Sequence, residues 1–347
     1  MTTPPMKSRN VNADASREPK RALITGGAGF IGSHLAEALL ARGDRVSIID
    51  DLSTGSLDNL AAVADHHDLE VVVDTVMNID VLDRLIGNCD VVFHMAAVVG
   101  VRLVVEAPGQ VIESNVLGTH GVLQLARKHG TKVVLASTSE VYGKNTKLPF
   151  SEDDDRLMGP TTVARWGYAE SKAIDEFMAL AYHHEHRLPV VIARLFNTVG
   201  PRQTGRYGMV VPRFVRQALD GERLTVYGDG GQSRCFCNVE DAVRALVALS
   251  EQPEAIGEVV NVGSTEVVTI LELAQQVIEQ VDPAAVGRAA DGVVLVPYDE
   301  AYPVGFEDMR QRQPDIAKIR ALVGWEPTIP LHETIRRVIA SQPGGRP

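Results

Sequence analysis

Two rhythms of apolar residues share the first half of the chain. Short, nearly continuous apolar runs occupy residues 21–25, 45–49, 69–73, 90–94, 132–136 and 189–193. Between them, residues 31–41, 110–129 and 168–186 carry apolar residues at helical spacing. Apolar strands alternating with helices predict an α/β fold, a doubly wound parallel sheet covered on both faces. The second half changes character. Gly200-Pro201, Gly205, Gly208, Pro212, Gly228, Gly230-Gly231, Gly257, Pro297, Pro303 and Pro314 punctuate it, so short elements and long loops are expected there. No polar linker separates the halves, which makes a boundary near Leu195 a packing seam. The pattern gives one domain over 19–195 and a smaller C-terminal α/β domain over 196–345, with a return strand to the first within about 234–263. Residues 1–18 read as a disordered leader without the apolar segment of a secretory signal.

Composition narrows the setting. Of 347 residues, 45% are hydrophobic, enough for a full core. No apolar stretch approaches the roughly 18 residues of a membrane span. A net charge of −11 argues against non-specific binding to nucleic acid but leaves room for a phosphate-bearing small ligand met by local arginines. The three cysteines, Cys89, Cys235 and Cys237, form no disulfide framework, and Cys235 with Cys237 lacks a second pair to complete a metal site. His183, His184 and His186 fall late in a helix, on a solvated face. A cytoplasmic, metal-free protein is the resulting expectation.

Candidate chemistry begins after the first strand. Thr25-Gly26-Gly27-Ala28-Gly29-Phe30-Ile31-Gly32 spaces Gly26, Gly29 and Gly32 as GxxGxxG at a strand–turn–helix junction. Glycine is needed there where backbone approaches a pyrophosphate and where helix presses on strand. The helix N-terminus offers free N–H groups to the phosphates. This is the arrangement of a Rossmann dinucleotide site. Asp50 and Asp51 end the second strand, and Asp50 lies 18 residues after Gly32. A carboxylate there bonds ribose hydroxyls and repels a 2′-phosphate, favouring NAD over NADP. Asp50 is the choice for the ribose, with Asp51 capping the loop. Asp74, closing the third strand, is either beside the adenine or a helix N-cap.

Tyr168 and Lys172 lie one turn apart on one helix face. A lysine ammonium beside the phenol is expected to lower its pKa and make it a general base for a sugar hydroxyl during hydride transfer. Thr138, at the carboxyl end of the fifth strand, can hydrogen-bond the reacting oxygen.

These segments, together with His94-Met95-Ala96-Ala97, Asn115-Val116-Leu117-Gly118-Thr119, Ser137-Thr138-Ser139-Glu140-Val141-Tyr142-Gly143 and Arg194-Leu195-Phe196-Asn197-Thr198-Val199-Gly200-Pro201, resemble the extended short-chain dehydrogenase/reductases that act as nucleotide-sugar epimerases, dehydratases and decarboxylases. The resemblance covers about residues 20 to 340. It implies NAD as cofactor, with Gly26, Gly29, Phe30, Ile31, Gly32, Asp50, Asp74, Ala96, Tyr168 and Lys172 around it. It implies a nucleotide-sugar substrate, UDP-linked by preference, met by Arg102, Asn115, Ser139, Asn197, Arg206, Val226, Arg234 and Arg312. Among these, Asn197 and Arg234 match residues at the diphosphate, Val226 sits in a uracil-lining strand, and Asn115 matches a buried asparagine that shapes the site. A homodimer built on helices 110–129 and 168–186 is also implied.

Within the group, the Ser-Thr-Ser-Glu run and Arg312-Gln313-Pro314-Asp315 are most similar to UDP-glucuronate decarboxylases. That similarity puts Glu140 and Arg312 at the carbon-5 region of the sugar, and Thr138, Glu140, Tyr168, Lys172 and Arg312 in the catalytic set. Arg312 could instead cap a helix near Pro314. A UDP-sugar 4-epimerase, a 4,6-dehydratase and a non-catalytic NAD-binding regulator are the alternatives. The regulator is disfavoured because both Tyr168 and Lys172 are present.

Overall fold

The computed structural model of the protein describes residues 18–100, 104, 106–205, 209–283, 292–301 and 309–345. Seven strands form one sheet: β1 (Arg21–Thr25), β2 (Arg45–Asp50), β3 (Leu69–Val73), β4 (Val91–His94), β5 (Lys132–Thr138), β6 (Val190–Leu195) and, from late in the chain, β11 (Val259–Val262). Their order is β11-β6-β5-β4-β1-β2-β3 and every pairing is parallel. The doubly wound expectation holds. Successive residues of each strand face opposite layers. Ile24, Ile48, Phe93 and Val134 enter one core with α1 (Phe30–Ala41). Leu23, Ile49, Val92 and Val133 enter another with α2 (Ile79–Gly87), α3 (Pro108–His129) and α4 (Arg165–His186). Burial on both faces is why these strands read as continuous apolar runs.

The differences from the sequence reading lie at element ends. α3 begins at Pro108, whose fixed φ and missing N–H suit a helix's first turn. α4 begins at Arg165, which places Tyr168 inside its first turn. β1, β2 and β3 build one way from the centre, and the chain then crosses to β4 on the other side of β1. The crevice at such a reversal, outside the carboxyl ends of the strands, is where ligands bind. Thr25, Asp50, His94 and Thr138 end their strands there.

Beyond β6 the elements are short, and the first, β7 (Thr198–Val199), pairs in parallel with β10 (Cys237–Asn238). β8 (Leu224–Tyr227) pairs in parallel with β13 (Val293–Val296). β9 (Ser233–Cys235) lies between antiparallel β12 (Val267–Thr269) and parallel β14 (Gln311–Arg312). Their core gathers Val211, Phe214, Leu224, Val226, Leu273, Val277 and Ile335. Cys89, Cys235 and Cys237 are free thiols, and burial pushes Cys89 and Cys235 up to about 12. Among the described residues, no helix is long and apolar enough to cross a membrane. The leader, except Glu18, lies outside the described residues.

Candidate active site

At the β1–α1 junction Gly26 has φ +70°, and a Cβ there would stand 2.8 Å from the Ala96 nitrogen. A Cβ on Gly29 would come within 3.1 Å of the Gly26 carbonyl oxygen, and one on Gly32 would overlap that same oxygen. The three glycines therefore let the turn pack tightly on itself, on α1 and on the loop after β4, as the backbone cradle at this junction requires. Asp50, buried at the end of β2, accepts the Ala28 N–H at 2.9 Å and the Leu52 N–H at 2.8 Å. Burial pushes its carboxyl up, and these backbone donors oppose that shift. Asp51 accepts the Ser53 N–H at 2.9 Å, a loop-closing turn of the kind expected of it. Asp74 accepts from the Thr75 N–H at 2.7 Å and from Asn78 Nδ2 at 2.8 Å. It is not the helix cap itself, since Asn78 occupies the N-cap of α2; it holds that residue while lining the crevice. Phe30, Ile31 and Ala96 line the same space.

The crevice is a single cleft of about 530 Å³ running from this cradle to the C-terminal elements, within the size range of small-molecule and cofactor sites. At its centre stand Thr138, Ser139, Glu140, Tyr168 and Lys172. Thr138 ends β5 and accepts the Glu140 N–H at 3.2 Å, opening the 3₁₀ turn Ser139–Tyr142. Tyr142 anchors that turn from below. It is fully buried, stacks on Phe150 at 4.7 Å and donates its O–H to Asn261 at 2.8 Å. Arg194 bonds Tyr142 at 2.9 Å and grips Glu176 from α4. The turn and the catalytic helix are thus tied to one buried scaffold.

Tyr168 hydrogen-bonds Thr138. Its hydroxyl is pushed above the usual tyrosine range, first by burial and then by the Glu140 charge. This corrects the expectation that Lys172 activates it directly. The Lys172 ammonium donates instead to Asp175 at 2.7 Å.

Glu140 meets two buried arginines. Arg312 Nη1 is 3.3 Å and Arg165 Nη2 is 3.7 Å from its Oε1. Arg312 lies on β14, buried, five residues before the helix Ala317–Val323, so it does not cap a helix. In the β9–β14 register Arg312 stands opposite Arg234. Both line the cleft, so two like charges face one space where an anion would relieve their repulsion. Arg234 Nη1 donates to the Ser233 carbonyl at 2.8 Å. Asn197 sits at the mouth with φ +25° and donates Nδ2 to the Cys235 carbonyl at 3.1 Å. The Ser139 hydroxyl is buried in the cleft wall and has no hydrogen-bond partner among the described residues, a polar atom positioned for a ligand.

Two expected substrate contacts do not reach the cleft. Val226 is fully buried in the second core, because β8 alternates and it is Tyr227 that faces the ligand space. Asn115 accepts the Val98 N–H at 2.8 Å and donates to Ser171 at 3.2 Å, bracing the loop after β4 against α4 without lining the cleft. Arg102 and Arg206 lie outside the described residues. Arg165 and Arg213 were missed. Arg165 is three residues before Tyr168 on the same helix face, a spacing that could have revealed it. Arg213 stacks over Tyr227 at 4.0 Å at the far end of the cleft; nothing in its local sequence marks it.

A family described as GDP-mannose 4,6 dehydratase matches residues 23–338. UDP-N-acetyl-alpha-D-glucosaminuronate decarboxylase of Bacillus cytotoxicus is 42% identical over 321 residues, covering 92% of this chain and 97% of that protein. UDP-glucuronic acid decarboxylase 1 of Danio rerio is 37% identical over 325 residues, covering 94% of this chain and 73% of that one. The solved UDP-glucuronic acid 4-epimerase from Bacillus cereus, in complex with UDP-glucuronic acid and NAD, superposes with TM-score 0.81 at 28% identity, covering 92% of this chain and 98% of that one. The glycine cradle beside a strand-ending aspartate fits that dinucleotide. The chain belongs to the GDP-mannose 4,6-dehydratase family, extended short-chain dehydrogenase/reductases that use NAD to act on nucleotide sugars.

Proposed function

We propose that the protein is a UDP-hexuronate decarboxylase, with UDP-glucuronate as first-choice substrate and its N-acetylated counterpart as second. The observation that carries this reading is the convergence of Arg165 and Arg312 on Glu140 beside Thr138 and Tyr168. Two buried guanidinium groups in a sugar-sized space suit a substrate carboxylate, and arginine can grip one bidentately. A substrate carboxylate would compete with Glu140 for these two guanidinium groups.

Gly26, Gly29 and Gly32 would hold the pyrophosphate of NAD, Asp50 the adenosine ribose and Asp74 the adenine side. When bound, NAD supplies the hydride acceptor that turns sugar carbon 4 into a ketone. Tyr168 takes the proton of the carbon-4 hydroxyl, and Thr138 hydrogen-bonds that oxygen. Lys172 attends the nicotinamide ribose. The product is a beta-keto acid. Its bond between carbons 5 and 6 breaks, carbon dioxide leaves, and the electron pair moves toward the ketone oxygen, where Tyr168 and Thr138 can donate. Glu140 assists protonation at carbon 5, and return of the hydride to carbon 4 with the proton from Tyr168 to its oxygen would leave a UDP-pentose and no net oxidation. Arg234 and Asn197 would hold the diphosphate, with Ser139 on the sugar.

The likeness to the solved 4-epimerase supports one alternative, in which the same ketone is reduced from its other face and no carbon is lost. Incubation with UDP-glucuronate, UDP-N-acetylglucosaminuronate and UDP-glucose, with products read by mass, tests both. Release of carbon dioxide from a uronate is expected. Unchanged product mass with inverted carbon 4 would replace decarboxylation by epimerisation. A cytoplasmic homodimer is part of this reading. It is supported by Leu117 on α3 and Phe177 on α4, which are 51% and 63% exposed on two packed helices.

A further inference from the structure

Asn261 lies on β11, at the edge of the seven-stranded sheet, and is completely buried. Its side-chain amide is fully used. Nδ2 donates to the Phe150 carbonyl at 2.9 Å and to the Asp315 carbonyl at 3.3 Å, and Oδ1 accepts the Tyr142 hydroxyl at 2.8 Å. Carbonyl oxygens only accept, so they fix which end of the amide is nitrogen. The Tyr142 oxygen in turn accepts from Arg194 Nη1 at 2.9 Å, and Arg194 stands opposite Asn261 in the β6–β11 register. Groups that can act in one sense only set the direction of every bond.

These partners belong to the two charged groups of the cleft wall. Tyr142 closes the 3₁₀ turn that carries Glu140. Asp315 follows Arg312 by three residues. Phe150 joins the two segments. Its ring stacks on Tyr142 at 4.7 Å, its N–H donates to the Gln313 carbonyl at 2.8 Å, and its carbonyl accepts the Asp315 N–H at 2.8 Å. The Arg312 segment needs such a hold. β14 is two residues long, and its ladder sets Arg312 beside Arg234, a like charge that pushes the strand away. β11 also lies close beneath the segment, where a Cβ on Gly263 would stand 3.1 Å from Pro314 Cγ. Asn261, Tyr142 and Phe150 sit behind the cleft wall and do not line it.

We propose that Asn261 is a positioning residue, which ties the Glu140 turn to the Arg312 segment and so sets the geometry with which Arg312 meets a substrate carboxylate. This role rests on the reading of Arg165 and Arg312 as the carboxylate's partners. A guanidinium grips a carboxylate through short bonds in one orientation, so a drift of β14 is felt there first. The cofactor cradle and the nucleotide end of the cleft are held by other elements.

The test is calorimetric binding of UDP-glucuronate and of UDP-glucose to NAD-loaded protein, in a Tyr168→Phe background so that turnover does not blur the titration. UDP-glucose lacks the carboxylate, so the ratio of the two affinities isolates it. The parent should prefer UDP-glucuronate by about tenfold or more, as one charge-assisted hydrogen bond allows. Asn261→Ala should bring that preference down to about threefold or less, with UDP-glucose and NAD affinities held within about twofold. In an Arg312→Ala background the same substitution should leave the ratio where it stands, because contact-dependent effects are not additive. A merely structural Asn261 would lower the melting temperature and weaken both sugars alike; an unchanged ratio overturns the proposal, and so does an equal further loss beside Arg312→Ala. Should Asn261→Ala not fold, Tyr142→Phe decides in its place. It removes only the hydroxyl that Asn261 accepts, leaving the ring and the Arg194 bond to the Glu152 carbonyl at 3.2 Å, and it should lower the ratio in the same direction. A parent that binds both sugars alike sinks the carboxylate reading and this role with it, whereas a clear parental preference that both variants retain sinks this role alone.

Discussion

Arg312 and Glu140, 172 residues apart in sequence, meet at 3.3 Å in the wall of the cleft. The guanidinium is buried and the carboxylate is nearly so. An arginine kept in this position gains little from the pair alone, because desolvating two charges offsets most of their attraction. A third, anionic partner makes the arrangement useful.

Arg312→Ala should therefore lower carbon dioxide release from UDP-glucuronate by about 10- to 10²-fold, the loss of about 1.5–3 kcal/mol from one charge-assisted hydrogen bond. Oxidation at carbon 4 should fall much less. Arg312→Lys should rescue poorly, since lysine cannot copy the planar fork. The two steps are measured separately, as trapped carbon dioxide and as NADH absorbance in a single turnover. Equal losses in both would assign Arg312 to binding and remove it from the carbon-loss step.

Tyr168→Phe deletes only the hydroxyl that meets Thr138. Turnover should fall by about 10²–10⁴-fold, the range for a lost general base. Melting temperature and NAD affinity should stay close to wild type, because the ring remains. A variant with near-normal turnover would show that another group moves the proton.

The sheet was legible because its central strands are buried on both faces and read as nearly continuous apolar runs, and even the more exposed edge strand β3 kept enough of that pattern for residues 21–25 and 69–73 to match the bounds of β1 and β3. The glycine turn was legible for a related reason: a backbone that must be approached closely allows no other residue. Contacts between distant segments were less readable. The alternation in Leu224-Thr225-Val226-Tyr227 shows that two faces exist but not which one meets ligand, and Val226 was placed on the wrong one. Asp175 looked like any polar residue on a helix. Yet it follows Lys172 by three residues on one helix, a spacing that could have revealed the pair, and only their joint burial needed the fold.

Gly32→Ala should abolish NAD binding and destabilise the protein. Its Cβ would overlap the Gly26 carbonyl oxygen and press on the Gly27 Cα, so α1 must move away from the turn that forms the cradle. NADP should bind wild type more weakly than NAD, because its extra phosphate meets Asp50. Isothermal titration with both nucleotides decides these points. Equal affinity for the two would remove Asp50 from the ribose, and normal NAD binding by Gly32→Ala would place the pyrophosphate elsewhere.

His94 should make the fold sensitive to acid. Burial, reinforced by the Lys172 charge, holds its pKa down to about 3, whereas in the unfolded chain it titrates near ~6.5. The folded state therefore binds fewer protons than the unfolded state between these values. The stability that comes from neutral His94 is complete above the unfolded pKa and is lost as pH falls toward the folded one. Each unit of acidification in this window should cost up to about 1.4 kcal/mol from this residue. The neutral tautomer joins Thr25 to Thr119; a second ring proton would leave the Thr25 hydroxyl facing a donor and place a positive charge near Lys172. Denaturant melts from pH 7 to pH 5 should show a steady fall in unfolding free energy. His94→Gln, which keeps a donor and an acceptor but cannot charge, should be less stable at pH 7 and should lose less on acidification. A wild-type slope no steeper than that of His94→Gln would mean that other groups, not His94, set the acid limit of the fold.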